Sequence, residues 1–280
     1  PLPFAGDYGM SSLTFTLNTS VKQRIDCSPL TSDELADKSV ADIAAIELVV
    51  GNTTERVDAL FEVSGDDAAD IKFVNSTDKL DFIGRNMTSG KLTVEGNVGG
   101  YLGLFLDGGE IEVTGDTGIY TACEMKSGQI KVNGNAGDFV GGVRPGYRNG
   151  MAGGTVIVTG NTGARTGDHM RRGMILIEGN AGDYCGARMI SGTIAVLGGV
   201  GAHLGYAMKR GTLLLTQAPA QGISANFNDC GSHTLAFLPL LFNSFKKLDS
   251  KFASVEAFSR VQRYAGDVAG IGMGEILVKI

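Results

Sequence analysis

Gly173-Met174-Ile175-Leu176-Ile177-Glu178-Gly179-Asn180-Ala181-Gly182-Asp183-Tyr184-Cys185-Gly186 is one unit of a repeat. Its opening glycine returns every nineteen residues, at Gly90, Gly109, Gly128, Gly154, Gly173, Gly192 and Gly211, with one step of twenty-six between Gly128 and Gly154. A Met or Leu stands three places before each (Met87, Leu106, Met125, Met151, Met170, Met189, Met208), and a short apolar segment follows each. A second cluster, G-x-x-G-x-x-x-G, closes the unit: Gly96/Gly99/Gly103, Gly134/Gly137/Gly141, Gly160/Gly163/Gly167, Gly179/Gly182/Gly186 and Gly198/Gly201/Gly205. The copy at Gly115/Gly118 ends in Ala122. A fixed period near twenty residues predicts stacked repeats.

Segments such as Thr155-Val156-Ile157-Val158-Thr159 are five residues long, β-branched and bounded by glycine. That composition predicts strands, and nineteen residues leave no room for a helix beside one strand and two glycine turns. Each period therefore predicts one β-coil, paired in parallel with the next at about 4.8 Å. The crossover rule for parallel strands favours a right-handed path. The expected fold is all-β: a right-handed parallel β-helix of about seven 19-residue coils. The fifteen glycines of the second clusters are expected to be structural, supplying positive φ or letting coils approach. The Met/Leu column reads as internal packing rather than a metal or cofactor site, since methionine fills irregular cores. Asn97, Asn135, Asn161 and Asn180, with Asp116, recur after the second-cluster glycine and read as turn-holding residues.

Three regions follow: residues 1–84 as an N-terminal extension and cap, 85–216 as the glycine-rich β-helix, and 217–280 as a C-terminal helical cap and tail. Leu13 to Leu17 alternates like a strand, Ser32-Asp33-Glu34-Leu35 opens a short helix continued by Val40 to Ile43, and residues 71–83 read as a decayed first coil. His233 to Lys247 is compatible with a helix that Pro239 either kinks or starts late, and Val255 to Tyr264 with a second. Gly274 to Val278 reads as a last strand. Phe237, Leu240, Leu241, Phe242 and Phe245 are a candidate exposed interface. Met10 is the expected start, with residues 1–9 an upstream remnant.

The chain has 280 residues and a formal net charge of −6, which argues against nucleic acid as a partner. No apolar run is long enough to span a membrane. Cys27, Cys123, Cys185 and Cys230 lie far apart with no C-x-x-C spacing, as expected of separate thiols in a reducing cytoplasm. Residues 142–210 carry +5 while the rest carries −11. Six arginines of that belt, Arg144, Arg148, Arg165, Arg171, Arg172 and Arg188, are candidates for docking an acidic partner, against the plain reading of a solvated face. Arg144 and Arg148 sit on the seven-residue insertion and are expected to project outward.

Catalytic signals are lacking. His169 and His203 occupy different places in their coils, His233 is in the cap, and no zinc-hydrolase, serine-nucleophile or phosphate-loop motif occurs. A carbohydrate-cleaving coil would pair carboxylates such as Asp138, Asp168 and Asp183. Asp138 and Asp183 directly follow a glycine, which marks turn residues.

The repeated G-x-x-G-x-x-x-G with its intervening strand resembles two related groups. One is the C-terminal domain of the glutamate synthase large subunit. The other is the C subunit of formylmethanofuran dehydrogenase, with its bacterial counterpart in the formyltransferase/hydrolase complex. The ends favour the second group. Leu35-Ala36-Asp37-Lys38-Ser39-Val40-Ala41-Asp42-Ile43 leads in with no amidotransferase or flavin-binding region, and Arg263-Tyr264-Ala265-Gly266-Asp267 through Leu277 is similar to the ending of that group. Leu13 to Leu17, Ser28 to Thr31 and the insertion Arg144 to Gly150 bring it nearest the bacterial form. The resemblance implies a non-catalytic scaffold subunit of a cytoplasmic one-carbon complex. That complex moves formyl from tetrahydromethanopterin to a methanofuran-type carrier and hydrolyses it to formate. Formyltransferase, metal-dependent hydrolase and further subunits are the implied partners, and no cofactor is expected in this chain. The alternatives are the equivalent subunit of an archaeal tungsten or molybdenum dehydrogenase, or a glutamate-synthase-like structural domain.

Overall fold

The computed structural model describes residues 11–18 and 20–280, so the expected start at Met10 lies outside the described residues. The chain is mostly β, with few and short helices. Its N-terminal part runs β1 (Ser12–Leu17), β2 (Ile25–Asp26), α1 (Ser32–Leu35), α2 (Val40–Ala44), β3 (Glu47–Val50), β4 (Thr53–Arg56), α3 (Val57–Leu60), β5 (Phe61–Ser64), β6 (Asp67–Ser76) and β7 (Leu80–Asp81). The glycine-rich middle contributes β8 (Lys91–Gly96), β9 (Asp107–Val113), β10 (Ser127–Val132), β11 (Ala152–Val158), β12 (Arg172–Ile177), β13 (Thr193–Val196) and β14 (Arg210–Leu215). The chain ends with β15 (Asn228–Thr234), α4 (Phe237–Phe245), a 3-10 turn at Lys251–Ser254, β16 (Arg260–Gly266) and β17 (Met273–Lys279).

Strands β8 to β14 are consecutive parallel neighbours in a 13-stranded sheet. The register follows the repeat: Leu92 faces Ile111, then Ile130, Val156, Ile175, Ile194, Leu213 and Ile276. Stacking like on like gives columns of fully buried aliphatics, each side chain worth about 1.5–3 kcal/mol when removed from water. All seven Met/Leu positions are likewise fully buried. Away from the sheet, single parallel bridges link Val98, Thr117, Ala136, Thr162, Ala181 and Val200 in series. The long step is absorbed between β10 and β11, whose partners are Gln129 and Thr155, and the extra residues leave the stack as an irregular loop around 143–150.

The glycines of the second clusters divide between the two roles, turn and close approach. At the middle positions an added Cβ runs into the preceding unit: Gly163 and Gly201 lie against backbone and the side chains of Asp138 and Asp183, and Gly182 against backbone alone. Here the absence of a side chain is what allows the units to approach. The last positions differ. At Gly103, Gly141, Gly167, Gly186 and Gly205 an added Cβ meets instead the ends of core side chains, in order Ile130, Ile175, Ile194, Leu213 and Phe227. What these five share is a left-handed backbone, with φ between 63° and 72°. Ala122 holds the same place at φ 58°, so this position tolerates a Cβ where the middle position does not.

At the N-terminal end β1 lies parallel to β6 and antiparallel to β5, and Phe15, Phe61 and Phe73 pack ring on ring at 5.2–6.2 Å. Ser39 and Asp42 form a capping box that starts α2. The strand at 13–17, the helix at Ser32 and the coil-like strands at 71–81 therefore stand as expected.

The C-terminal end departs from expectation. Val255 to Tyr264 is not helical. Arg260 to Gly266 is extended between β15 and β17, where Val261 is buried and Arg263 pairs with Glu275 at 2.5 Å. Sheet pairing overrides the weak local preference. The one helix of this region, α4, begins at Phe237. Pro239 is its third residue, in the first turn where a backbone N–H has no intrahelical partner anyway.

The helix also changes the strands beneath it. In β8 the burial alternates, with Leu92 and Val94 in and Thr93 partly out. From β11 onward three successive residues are buried: Val156-Ile157-Val158, Ile175-Leu176-Ile177, Ile194-Ala195-Val196, Leu213-Leu214-Leu215 and Ile276-Leu277-Val278. Leu238, Phe242, Phe245 and Phe252 cover the added outward column of Ile157, Leu176, Ala195, Leu214 and Leu277. Strands buried on both faces read as continuous apolar runs. The expected interface shrinks accordingly: Phe242 and Phe245 are core, and Phe237 and Leu240 alone of that set stay exposed.

Candidate functional site: the arginine belt and the columns it joins

Two residues before the last glycine of each unit the backbone turns left-handed. Phe82, Tyr101, Tyr120, Phe139, Arg165, Tyr184 and His203 all have φ between 58° and 62°. Such a conformation costs a non-glycine residue roughly 1–2 kcal/mol, and here the planar side chains stack along the repeat axis. Ring centroids are 4.9, 4.9 and 4.8 Å apart from Phe82 to Phe139. Arg165 then enters the stack, 6.0 Å from the Phe139 ring and 4.6 Å from Tyr184, which stacks on His203 at 4.6 Å. Sequence reading missed this column, although planar residues two places before each last glycine were its signal.

Four residues further on lies a second left-handed column, with Asn86, Phe105, Glu124, His169, Arg188 and Ala207. It anchors the insertion. Arg144 Nε donates to Glu124 Oε1 at 2.8 Å, and its guanidinium lies 4.6 Å from the Phe105 ring and 4.2 Å from Tyr147. Arg188 grips Asp168 with two bonds, 2.9 and 2.6 Å, and the Asp168 side chain is 1% exposed. Tyr120, Phe139, Arg144, Tyr147, Asp168 and His169 line a cavity of about 200 Å³ under this loop.

Three arginines of the belt thus have intramolecular partners: Arg144, Arg165 and Arg188. Arg144 folds back onto the stack instead of projecting. Arg148 remains exposed on the loop, and Arg171 and Arg172 are exposed with no carboxylate partner among the described residues. With Ser191 and Arg210 they line a cleft of about 480 Å³.

His169 Nδ1 is 3.3 Å from Asp168 Oδ1 but lacks the alignment of a hydrogen bond, and it has no other partner. Burial lowers its pKa, outweighing the attraction of Asp168. The neutral ring is therefore favoured in the fold. Between the folded value and the unfolded value near 6.5 the unfolded chain binds the extra proton. This contribution to stability is present above that unfolded value and is lost as pH falls through the window. Melting temperatures between about pH 5 and pH 8 should show a smaller acid-side loss in His169→Gln than in the parent chain; equal slopes would contradict the assignment.

The remaining candidates are structural. Asp138 Oδ1 accepts from Ala164 N and Asp183 Oδ1 from Ala202 N, each at 2.7 Å, and Asp168 is bound to Arg188. The column residues Asn97, Asp116, Asn135, Asn161 and Asn180 each accept from the backbone N–H one unit on, at 2.6–2.9 Å. Burial pushes Cys123 and Cys185 to about 12 and Cys27 well above its ordinary value, so these thiols are poor nucleophiles. Among the described residues no three His, Cys, Asp or Glu side chains stand together as a metal donor set, and no helix is long and apolar enough to cross a membrane.

Comparison with known proteins agrees with the glycine repeat. The GXGXG motif family model matches residues 72–230. The C subunit of the tungsten-containing formylmethanofuran dehydrogenase 2 of Methanococcus maripaludis is 32% identical over 95 residues, 33% of this chain and 35% of that protein. Its counterpart in Methanothermobacter thermautotrophicus is 34% identical over 99 residues, 34% of this chain and 37% of that protein. The matched stretch thus spans about a third of the length of these curated relatives. The likeness to a chain in the crystal structure of the formyltransferase/hydrolase complex of Methylorubrum extorquens with methylofuran runs end to end. It covers 95% of this chain and 99% of that one, at 33% identity and a TM-score of 0.89.

Proposed function

This chain belongs to the GXGXG motif family, and on that premise we propose that it is a non-catalytic scaffold subunit of a formyltransferase/hydrolase complex. The observation that carries the reading is the likeness to a chain of that complex over 95% of this chain and 99% of that one. The likeness to the tungsten dehydrogenases covers only about a third of the chain, so the hydrolase-type complex is the better-supported assembly. Its partners are then formyltransferase, hydrolase and further subunits. The carrier is of the methanofuran type, the one-carbon donor is formyl-tetrahydromethanopterin, and the product is formate.

The same reading makes the sheet one wall of a right-handed parallel β-helix of about seven coils, supported by the nineteen-residue register and the second line of parallel bridges. Residues 1–84, 85–216 and 217–280 are its N-terminal cap, coil and C-terminal cap, the last mixed rather than helical. Metal chemistry is assigned to a partner, a reading supported by the carboxylates here: Asp138 and Asp183 accept from backbone N–H groups and Asp168 from Arg188. Separate, mostly buried thiols fit a reducing cytoplasm.

The test is reconstitution. The isolated chain should show neither formyl transfer nor formyl-carrier hydrolysis, and the remaining subunits prepared without it should fail to assemble into an active complex. Either activity in the pure chain would overturn the reading.

A further inference from the structure

Two features outside the columns meet at the C-terminal end of the stack. The first is apolar: Tyr206, Val268, Ile271 and Met273 are each 50–58% exposed. They are neighbours through the backbone. Asp267 N donates to Met208 O, Asp267 Oδ2 accepts from Ala207 N, and Met273 N donates to Lys209 O. The second is basic. Arg172, Ser191 and Arg210 follow one another at the nineteen-residue interval, which sets the two arginine backbones roughly 10 Å apart, two strand spacings. Arg171 and Lys209 precede them and are exposed, Arg171 lining the same cleft. The features join in the sheet, because Arg210 of β14 is the register partner of Met273 of β17.

None of these four cations has a carboxylate partner among the described residues, in a chain whose net charge is −6. The belt's other arginines show what pairing looks like here: Arg144 and Arg188 reach an acid twenty residues back. Unpaired like charges on adjacent coils repel one another, and an opposing anionic surface relieves that. An apolar centre containing Tyr and Met, flanked by Arg, is the anatomy of a protein interface core with its polar rim.

We infer that this end is the surface on which a partner subunit of the complex docks, presenting an apolar patch flanked by carboxylates. The inference rests on the scaffold reading and names the face that reading leaves open. A second copy of the chain is the poorer occupant. A two-fold contact through this patch brings the same surface on both sides together, arginines against arginines.

The test uses the tagged full-length chain co-expressed with the other subunits of its complex. Ile271→Ser/Met273→Lys removes the apolar centre while adding positive charge, and Arg172→Gln/Arg210→Gln removes the rim. Val49→Gln, on the exposed face of β3 near the other end of the chain, is the control. Ile271→Ser alone, in the loop between strands, serves where the Met273 change disturbs β17. The parent chain and Val49→Gln should recover the same partner. Both double variants should lower recovery at least tenfold, with melting of the isolated chain unchanged, and Ile271→Ser alone should lower it severalfold. Partner binding by the parent chain should weaken with salt, and the arginine variant should show a flatter salt dependence. Undiminished recovery by all three surface variants overturns this surface but not the scaffold role. No partner on the parent chain defeats the scaffold role itself. A dimer of the isolated chain that these variants make monomeric overturns the inference in favour of self-association.

Discussion

Gly182→Val is expected to leave no soluble, cooperatively folded chain. A Cβ built at Gly182 meets Gly163 C at 2.7 Å, Gly163 O at 2.8 Å and Ala164 N at 2.9 Å, all of them backbone. The same holds at Gly118, which lies on Gly99, and at Gly137, which lies on Gly118, while Gly201 meets the Asp183 side chain as well as backbone. At Gly182 successive units are separated by backbone alone, so no side chain can rotate aside. Overpacking costs about 1–3 kcal/mol where neighbours yield. Here the units must part, breaking bonds such as Gly182 N to Thr162 O, and the cost approaches a whole domain's stability of about 5–15 kcal/mol. Gly199→Ala, where the added atom meets Asn180 Oδ1 at an ordinary 3.5 Å, should stay within about 0.5 kcal/mol. Soluble yield and thermal melting of the two variants decide the matter. Parent-like behaviour of Gly182→Val would contradict the stacked arrangement.

Asp168→Ala should be the most damaging change among the charged residues. Its carboxylate is buried, holds Arg188 by two bonds and walls the cavity under the insertion. Removing one partner of a buried ion pair costs about 3–5 kcal/mol. The Arg188 side chain is 41% exposed and can turn to water, which puts the expected loss below that range, roughly 2–3 kcal/mol. Replacing both partners, as Asp168→Ala/Arg188→Met, should recover part of it. Denaturant midpoints at unchanged slope measure the difference. A double variant as unstable as the sum of the two singles would show that the pair is not coupled.

The period was legible because each unit pairs with the next, so one spacing in the chain becomes one register in the sheet. Leu92, Ile111 and Ile130 stand opposite one another as counted. The glycine count did not separate Gly182, which faces backbone, from Gly186, which faces the Leu213 side chain, because spacing carries no information on what lies opposite. Ala122 in a last place was the one hint. The outer cover was not read either, although its signal was present. Lys91-Leu92-Thr93-Val94 alternates, whereas Val156-Ile157-Val158 and Leu213-Leu214-Leu215 do not, and the change marks where a second layer lies on the sheet. Residues 255–264 read as helix because nothing local forbids one; pairing with β15 and β17, set by residues elsewhere in the chain, decides otherwise. The arginine belt was counted as one surface because a charge count holds no partners. Asp168 lies one unit and one residue before Arg188, so the register itself contained that pairing, whereas Arg144 reaches Glu124 from the insertion, outside the register. What remained free, Arg148, Arg171 and Arg172, is a smaller set, and Arg210 joins it only through the sheet.

The central claim is that this chain works as a scaffold within a multi-subunit one-carbon complex. Its most direct test is purification of the untagged chain at native expression, followed by mass spectrometry of the intact assembly and of its parts. The account predicts that formyltransferase-type and hydrolase-type subunits co-purify in fixed proportion, with both activities in the same fraction. A chain that purifies alone while those activities elute elsewhere would contradict it.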